Sequence, residues 1–176
     1  KFTLSYIGVL EQLRNPEILW ETLNDLVQEN ADFKNDFELK FVGRLDDKIL
    51  QKIESSALKN NLTNLGYQTH DVALKHMQDS TVLLMTNFPQ ESSKGIIPGK
   101  IFEYLATGKT ILSFGPKDAD VEKILNETKA GKHFGYDEKE NLKKFILESY
   151  QNWKSGTLNQ NAENIEQFSR KNLTQK

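Results

Sequence analysis

Short apolar runs recur along the chain, and between them lie longer segments whose apolar residues return at near-helical spacing. Leu4 to Gly8 reads as a short buried strand closed by glycine. Asn15-Pro16 offers a cap and a first-turn proline to EILWETLNDLVQEN, where Ile18, Leu19, Leu23, Leu26 and Val27 share a face. Phe37 to Gly43 is a second strand, and Asp46 or Asp47 caps a helix through about Leu58. Leu62 to Leu65 is a third strand before Gly66. Asp71 caps VALKHMQ, and Thr81 to Met85 is a fully apolar fourth strand. Pro98 starts a helix that stops at Gly108. Thr110 to Phe114 is a fifth strand, Asp120 opens VEKILNETKA, and Lys132 to Phe134 is a short sixth strand. Helices over Glu138 to Trp153 and Asn159 to about Asn172 close the chain.

Strands of this length separated by helices require right-handed crossovers and a parallel sheet covered on both faces. The expected fold is therefore α/β, a doubly wound Rossmann-like parallel sheet of about six strands. The 176 residues suffice for a single domain with a real core, spanning 1–176. The chain opens almost directly in strand-like sequence without an initiator Met. That predicts an excised domain, the C-terminal half of a longer protein whose missing part lies upstream.

Composition narrows the chemistry. With 23 basic and 25 acidic residues spread throughout, no basic stripe interleaved with aromatics points to nucleic acid. The absence of cysteine removes disulfides and thiolate metal sites, and it fits a reducing compartment. Three scattered histidines make no recognisable zinc site, so no metal is expected. His76 and His133 read as structural or solvated. Apolar runs such as Val82 to Met85 are far too short to span a bilayer.

One connection is long. Between TVLLM and the helix at Pro98 run about a dozen polar, flexible residues, TNFPQESSKGII, where such folds usually use about 2–6. The loop leaves the C-terminal end of a central-looking strand, where open α/β sheets dock ligands. Gly95 and Gly99 let backbone approach a ligand, and a helix start presents free N–H groups to a phosphate. Lys100 adds a positive charge in the first turn, unfavourable for the bare dipole unless an anion sits there. Glu103, one turn on, can accept two hydrogen bonds from a vicinal diol such as a ribose. On chemistry alone, Lys100 and Glu103 read equally as an ordinary surface pair.

The run PGKIFEYLATGKTILSFGP resembles the donor-site signature of GT-B-type glycosyltransferases of the group 1 kind. SYIGVL followed by RNPEIL, FELKFVG, LTNLGYQTHDVALKHMQDSTVLLM, DVEKILNETKAG and FSRKNLT resemble the rest of their C-terminal, donor-binding domain in order. The resemblance implies a nucleoside-diphosphate sugar as donor substrate, no other cofactor, and an acceptor-holding N-terminal domain in the same protein. It implies that Glu103 holds the donor ribose and that Gly8, Arg14, Gly99 and Lys100 meet the diphosphate. Gly66 to His70 correspond to the region near the nucleobase, making Tyr67, Gln68 and His70 candidates for base or sugar contacts. Gly95 stands where many retaining members carry a second glutamate against the transferred sugar. The resemblance further implies saccharide assembly in a bacterial cytoplasm, with peripheral association at the inner face of the membrane. Two competing classes, a sugar-nucleotide epimerase of similar fold and a receiver-like signalling module, lack their acids at the expected places.

Overall fold

In a computed structural model, residues 1–158 are described. The expected closing helix over Asn159 to Asn172 lies outside them. Six strands form one wholly parallel sheet: β1 (Phe2–Ile7), β2 (Phe37–Val42), β3 (Leu62–Asn64), β4 (Val82–Thr86), β5 (Thr110–Phe114) and β6 (Gly131–Phe134). Their order is β3-β2-β1-β4-β5-β6. All six residues of β1 and all five of β4 are buried, as expected for central strands covered on both faces. Phe2 to Ile7 pair in register with Phe37 to Val42, and Leu4 to Tyr6 with Val82 to Leu84.

The helices divide between the two faces. Helices α1 (Glu17–Glu29), α2 (Ala31–Asp36), α3 (Asp47–Glu54) and α7 (Lys139–Ser155) close a core containing Phe2, Leu4, Tyr6, Leu23, Phe33, Phe41 and Tyr150. Helices α4 (His70–Asp79), α5 (Lys100–Thr107) and α6 (Asp120–Thr128) close the other around Ile7, Leu83, Met85, Tyr104 and Leu125. The chain winds outward from β1 through β2 to β3, then returns to β4 on the opposite side of β1. Strand order therefore reverses between β1 and β4, which makes their C-terminal ends the crevice of this fold.

Several helix boundaries depart from the sequence pattern, among them the start of α1, where Pro16 and not Asn15 takes the cap position. The first helix stops at Glu29 because the Asn30 side chain takes the Phe33 N–H at 3.0 Å and starts the separate α2. Helix α3 ends at Glu54, not near Leu58. There the Ser55 and Ser56 hydroxyls donate to the Gln51 and Ile53 carbonyls at 2.8 and 2.6 Å, and a 3-10 turn over Ala57–Asn61 follows. In α4, Thr69 takes the cap position expected of Asp71, which instead lies in the first turn beside the positive end of the dipole. Asp46 does cap α3, accepting from Lys48 and Ile49 N–H at 2.9 and 3.3 Å.

Candidate functional site

Three strands end in glycines whose φ lies in the left-handed half of the map: Gly8 at 120°, Gly43 at 126° and Gly66 at 67°. Gly8 N–H donates to Val42 O and Gly43 N–H to Gly66 O, both at 2.8 Å, so the turns after β1, β2 and β3 lie side by side. A Cβ on Gly43 would run into the Gly8 carbonyl. Above Gly8, among the described residues and apart from its chain neighbours, the atoms within 4 Å of a built Cβ belong to Lys100, with Nζ at 2.6 Å. Lys100 thus fills the space that a side chain at position 8 would need.

Its ammonium donates to the Ile7 carbonyl and lies 4.6 Å from the centroid of the Tyr6 ring. Burial, and secondarily the Arg14 charge, lower the Lys100 pKa to about 8, while Glu103 pulls it the other way. The side chain of α5 has therefore crossed the crevice from β4 to β1. Arg14 stands beside it, in a 3-10 turn over Gln12–Arg14. Its guanidinium donates to Val9 O at 2.6 Å, meets Glu11 at 3.3 Å and lies 5.7 Å from the Phe88 ring centroid. Two cations thus converge on one glycine turn, each lowering the cost of bringing an anion there.

Pro98 is not the first helical residue. Gly99 takes the cap position in αR conformation, and the first turn's bonds run from Ile101 N–H to Pro98 O (3.1 Å) and Phe102 N–H to Gly99 O (3.2 Å). The N–H groups of Gly99 and Lys100 precede them at the mouth of the helix. Glu103 lies one turn further along, half-buried. Gly95 is exposed, with nothing within 4 Å of a built Cβ.

The long connection is pinned, contrary to the flexible loop expected. Buried Asn87 donates its side-chain amide to Ser93 O (3.4 Å) and Ile96 O (3.2 Å), and its Oδ1 accepts the Phe88 N–H at 2.9 Å. A 3-10 turn spans Glu91–Ser93, and Lys94 O accepts the Asp120 N–H at 2.8 Å. The Tyr136 hydroxyl, beyond β6, reaches both Asn87 O (2.5 Å) and Arg14 O (3.3 Å). It joins the loops after β1, β4 and β6. Asn87 and Tyr136 were not anticipated from the sequence: an Asn following TVLLM gives a turn signal, but Tyr136 is separated from its partners by 49 and 122 positions.

Tyr67 is 84% exposed in the loop following Gly66. Gln68 folds one amide N–H back onto Leu65 O at 2.9 Å, and His70 is the exposed first residue of α4. This loop stands two strands from Gly8, roughly 10 Å at ordinary strand spacing. His133 is buried between the Ser113 hydroxyl (2.8 Å) and Pro116 O (2.9 Å), a structural role. Among the described residues no group of three or more His, Asp or Glu is placed to hold a metal, and no helix is long and apolar enough to cross a membrane.

The fold has solved counterparts. The C-terminal domain of the group 1 family glycosyl transferase LpcC from Francisella tularensis superimposes with TM-score 0.71 at 11% identity, covering 97% of this chain and 87% of that one. HepE of Anabaena, in complex with UDP, gives 0.68 at 14% identity, covering 99% of this chain and 48% of that one. TarM of S. aureus, in a complex that includes UDP, gives 0.67 at 17%, covering 99% and 32%. The chain thus has the fold of the C-terminal domain of GT-B-type glycosyltransferases and spans half or less of the HepE and TarM chains. No protein-family model and no curated protein matches its sequence.

Proposed function

We propose that this chain is the donor-binding half of a glycosyltransferase and holds a nucleoside-diphosphate sugar at the crevice between β1 and β4. The observation that carries the reading is the convergence of Gly8, Arg14 and Lys100 at the switch point, with Glu103 one turn away. Arg14, Lys100 and the N–H groups of Gly99 and Lys100 hold the diphosphate over the Gly8 turn, and Glu103 takes the ribose hydroxyls. Tyr67, Gln68 and His70 face the base, and Gly95 leaves space beside the transferred sugar. The solved HepE complexes with UDP and UDP-glucose lend support to a uridine donor.

Transfer then depends on orienting the anomeric carbon and stabilising the departing diphosphate with the two cations and the start of α5. The acceptor comes from an N-terminal domain of the same protein. Among the described residues, the exposed large apolar ones, Val9, Leu13, Tyr67, Val72, Ile96 and Ile97, support this, since all lie on loops after β1, β3 and β4 or in the first turn of α4. The setting we infer is a bacterial cytoplasm, with the whole enzyme resting against the inner face of the membrane. The cysteine-free composition agrees with the compartment.

Saturation-transfer NMR of the 176-residue chain with UDP, GDP and ADP tests the reading. Transfer from protein to at least one nucleotide, weakened in Glu103→Ala, is expected. No transfer to any of the three would overturn it.

A further inference from the structure

The position of Lys100 differs from that of a surface cation waiting for a ligand. Its ammonium is already engaged: it donates to the carbonyl of Ile7, the last residue of β1, and rests against the Tyr6 ring. It does so in a space that exists only because residue 8 has no side chain. A carbonyl and an aromatic face are weak substitutes for hydration of a full positive charge, and Arg14 adds repulsion. The charged and titratable groups that surround it are Tyr6 from β1, Arg14 with its partner Glu11 from the following turn, and Glu103 and Tyr104 from α5 itself.

We propose that diphosphate binding at this site is proton-coupled through Lys100: the free domain stores the side chain on β1, and the ligand draws the ammonium onto a phosphate oxygen and fixes its proton. This rests on the nucleotide-binding reading above and adds to it a regulatory property of the same site. The reaction balances simply, the neutral amine fraction taking one proton from solvent as the anion arrives. Burial and Arg14 bring the stored amine to about 8, so both forms are populated in mildly alkaline solution. An adjacent diphosphate opposes both influences by adding its negative charge to the pull already exerted by Glu103. The neighbouring tyrosines do not imitate the effect, because burial raises Tyr6 and Tyr104 away from this range.

The test is calorimetric titration of UDP-glucose into the 176-residue chain near pH 8, in two buffers of different ionisation enthalpy. UDP-glucose is chosen because its diphosphate is esterified at both ends and does not itself titrate there. The expected result is uptake of about half a proton per ligand bound, and an affinity about tenfold weaker at pH 9 than at pH 7. Lys100→Arg keeps the charge at every accessible pH and should bind with no such uptake and a flat profile over the same range. Circular dichroism confirms that the variant is folded. If Lys100→Arg does not bind, the natural sequence decides alone: its proton uptake must grow from pH 7 to pH 9 as the neutral amine fraction grows, and uptake that does not grow overturns the coupling. Binding without proton exchange in the natural sequence, or equal uptake in the variant, overturns the coupling and leaves nucleotide binding standing. Failure of the natural sequence to bind UDP-glucose, UDP, GDP or ADP overturns the nucleotide-binding reading, and the coupling with it.

Discussion

A carboxylate that accepts two hydroxyl groups of a ribose loses both hydrogen bonds when it is truncated. Glu103→Ala is therefore expected to weaken nucleotide binding by about 1–3 kcal/mol while leaving the fold intact, since the residue is only half-buried on α5. Calorimetry with UDP measures it, and an unchanged affinity removes Glu103 from the site. Lys100 predicts a pH effect on stability even without ligand. Its folded pKa of about 8 lies below the ordinary lysine value, so between the two the unfolded chain binds more protons than the folded one. Stability should accordingly rise with pH through this window, by on the order of 1 kcal/mol between pH 8 and 9, instead of falling. Urea unfolding across that range checks it, and Lys100→Met should abolish the rise. Gly43 carries a different constraint, because a Cβ there meets the Gly8 carbonyl and φ is 126°. Gly43→Ala should cost about 2–3 kcal/mol and disturb the Gly8 turn, lowering nucleotide affinity as well.

At the scale of elements, the site depends on how firmly the loops after β1, β4 and β6 are held together. One hydroxyl, that of Tyr136, reaches carbonyls in two of them, and buried Asn87 fastens the long loop to itself. Tyr136→Phe keeps the ring against Phe114 but leaves the Asn87 and Arg14 carbonyls without that donor. It should cost about 1–3 kcal/mol and speed amide exchange over residues 87–94, with a smaller loss in nucleotide affinity than Glu103→Ala. Exchange unchanged in that segment would show that the loop is fixed by Asn87 alone. These contacts also mark the limit of what the sequence discloses. Strands and helices were legible because burial on both faces of a parallel sheet forces apolar runs, and the helices between them keep a period near 3.6. The placement of Gly8 at a strand end, and of Lys100 and Glu103 in the first turn of a helix, was legible because each follows a recognisable apolar run or helix start. The pinned loop was not, since a string of Ser, Gln, Gly and Pro reads as flexible until a partner distant in sequence supplies the hydrogen bond. Nor was α2, because Asn30 is equally at home inside a run of helix and at a cap. The crossing of Lys100 to the Ile7 carbonyl was hidden too, because it depends on a side-chain path spanning 93 positions in the chain.

For the molecule as a whole, the apolar groups divide sharply. Two cores, one on each face of the sheet, take nearly all the large side chains, and both are closed by helices. Among the described residues, the large apolar side chains left in water gather at one rim, on the loops after β1, β3 and β4 and the start of α4. Chance would scatter them over the surface. Docking of the proposed N-terminal domain against this rim would account for the distribution and would bring an acceptor to the proposed donor site in the same step. Leu13→Asp with Ile96→Asp separates this account from one in which the rim is merely tolerated. In the 176-residue chain both side chains are exposed, at 69% and 49%, so the pair should change stability by no more than about 0.5 kcal/mol per site. In the full-length protein the same pair should open the contact between domains and expose the loops after β1 and β4 to limited proteolysis. It should also lower transfer to the acceptor far more than it lowers binding of the donor. Proteolysis and transfer unchanged in the full-length protein would mean that the second domain docks elsewhere.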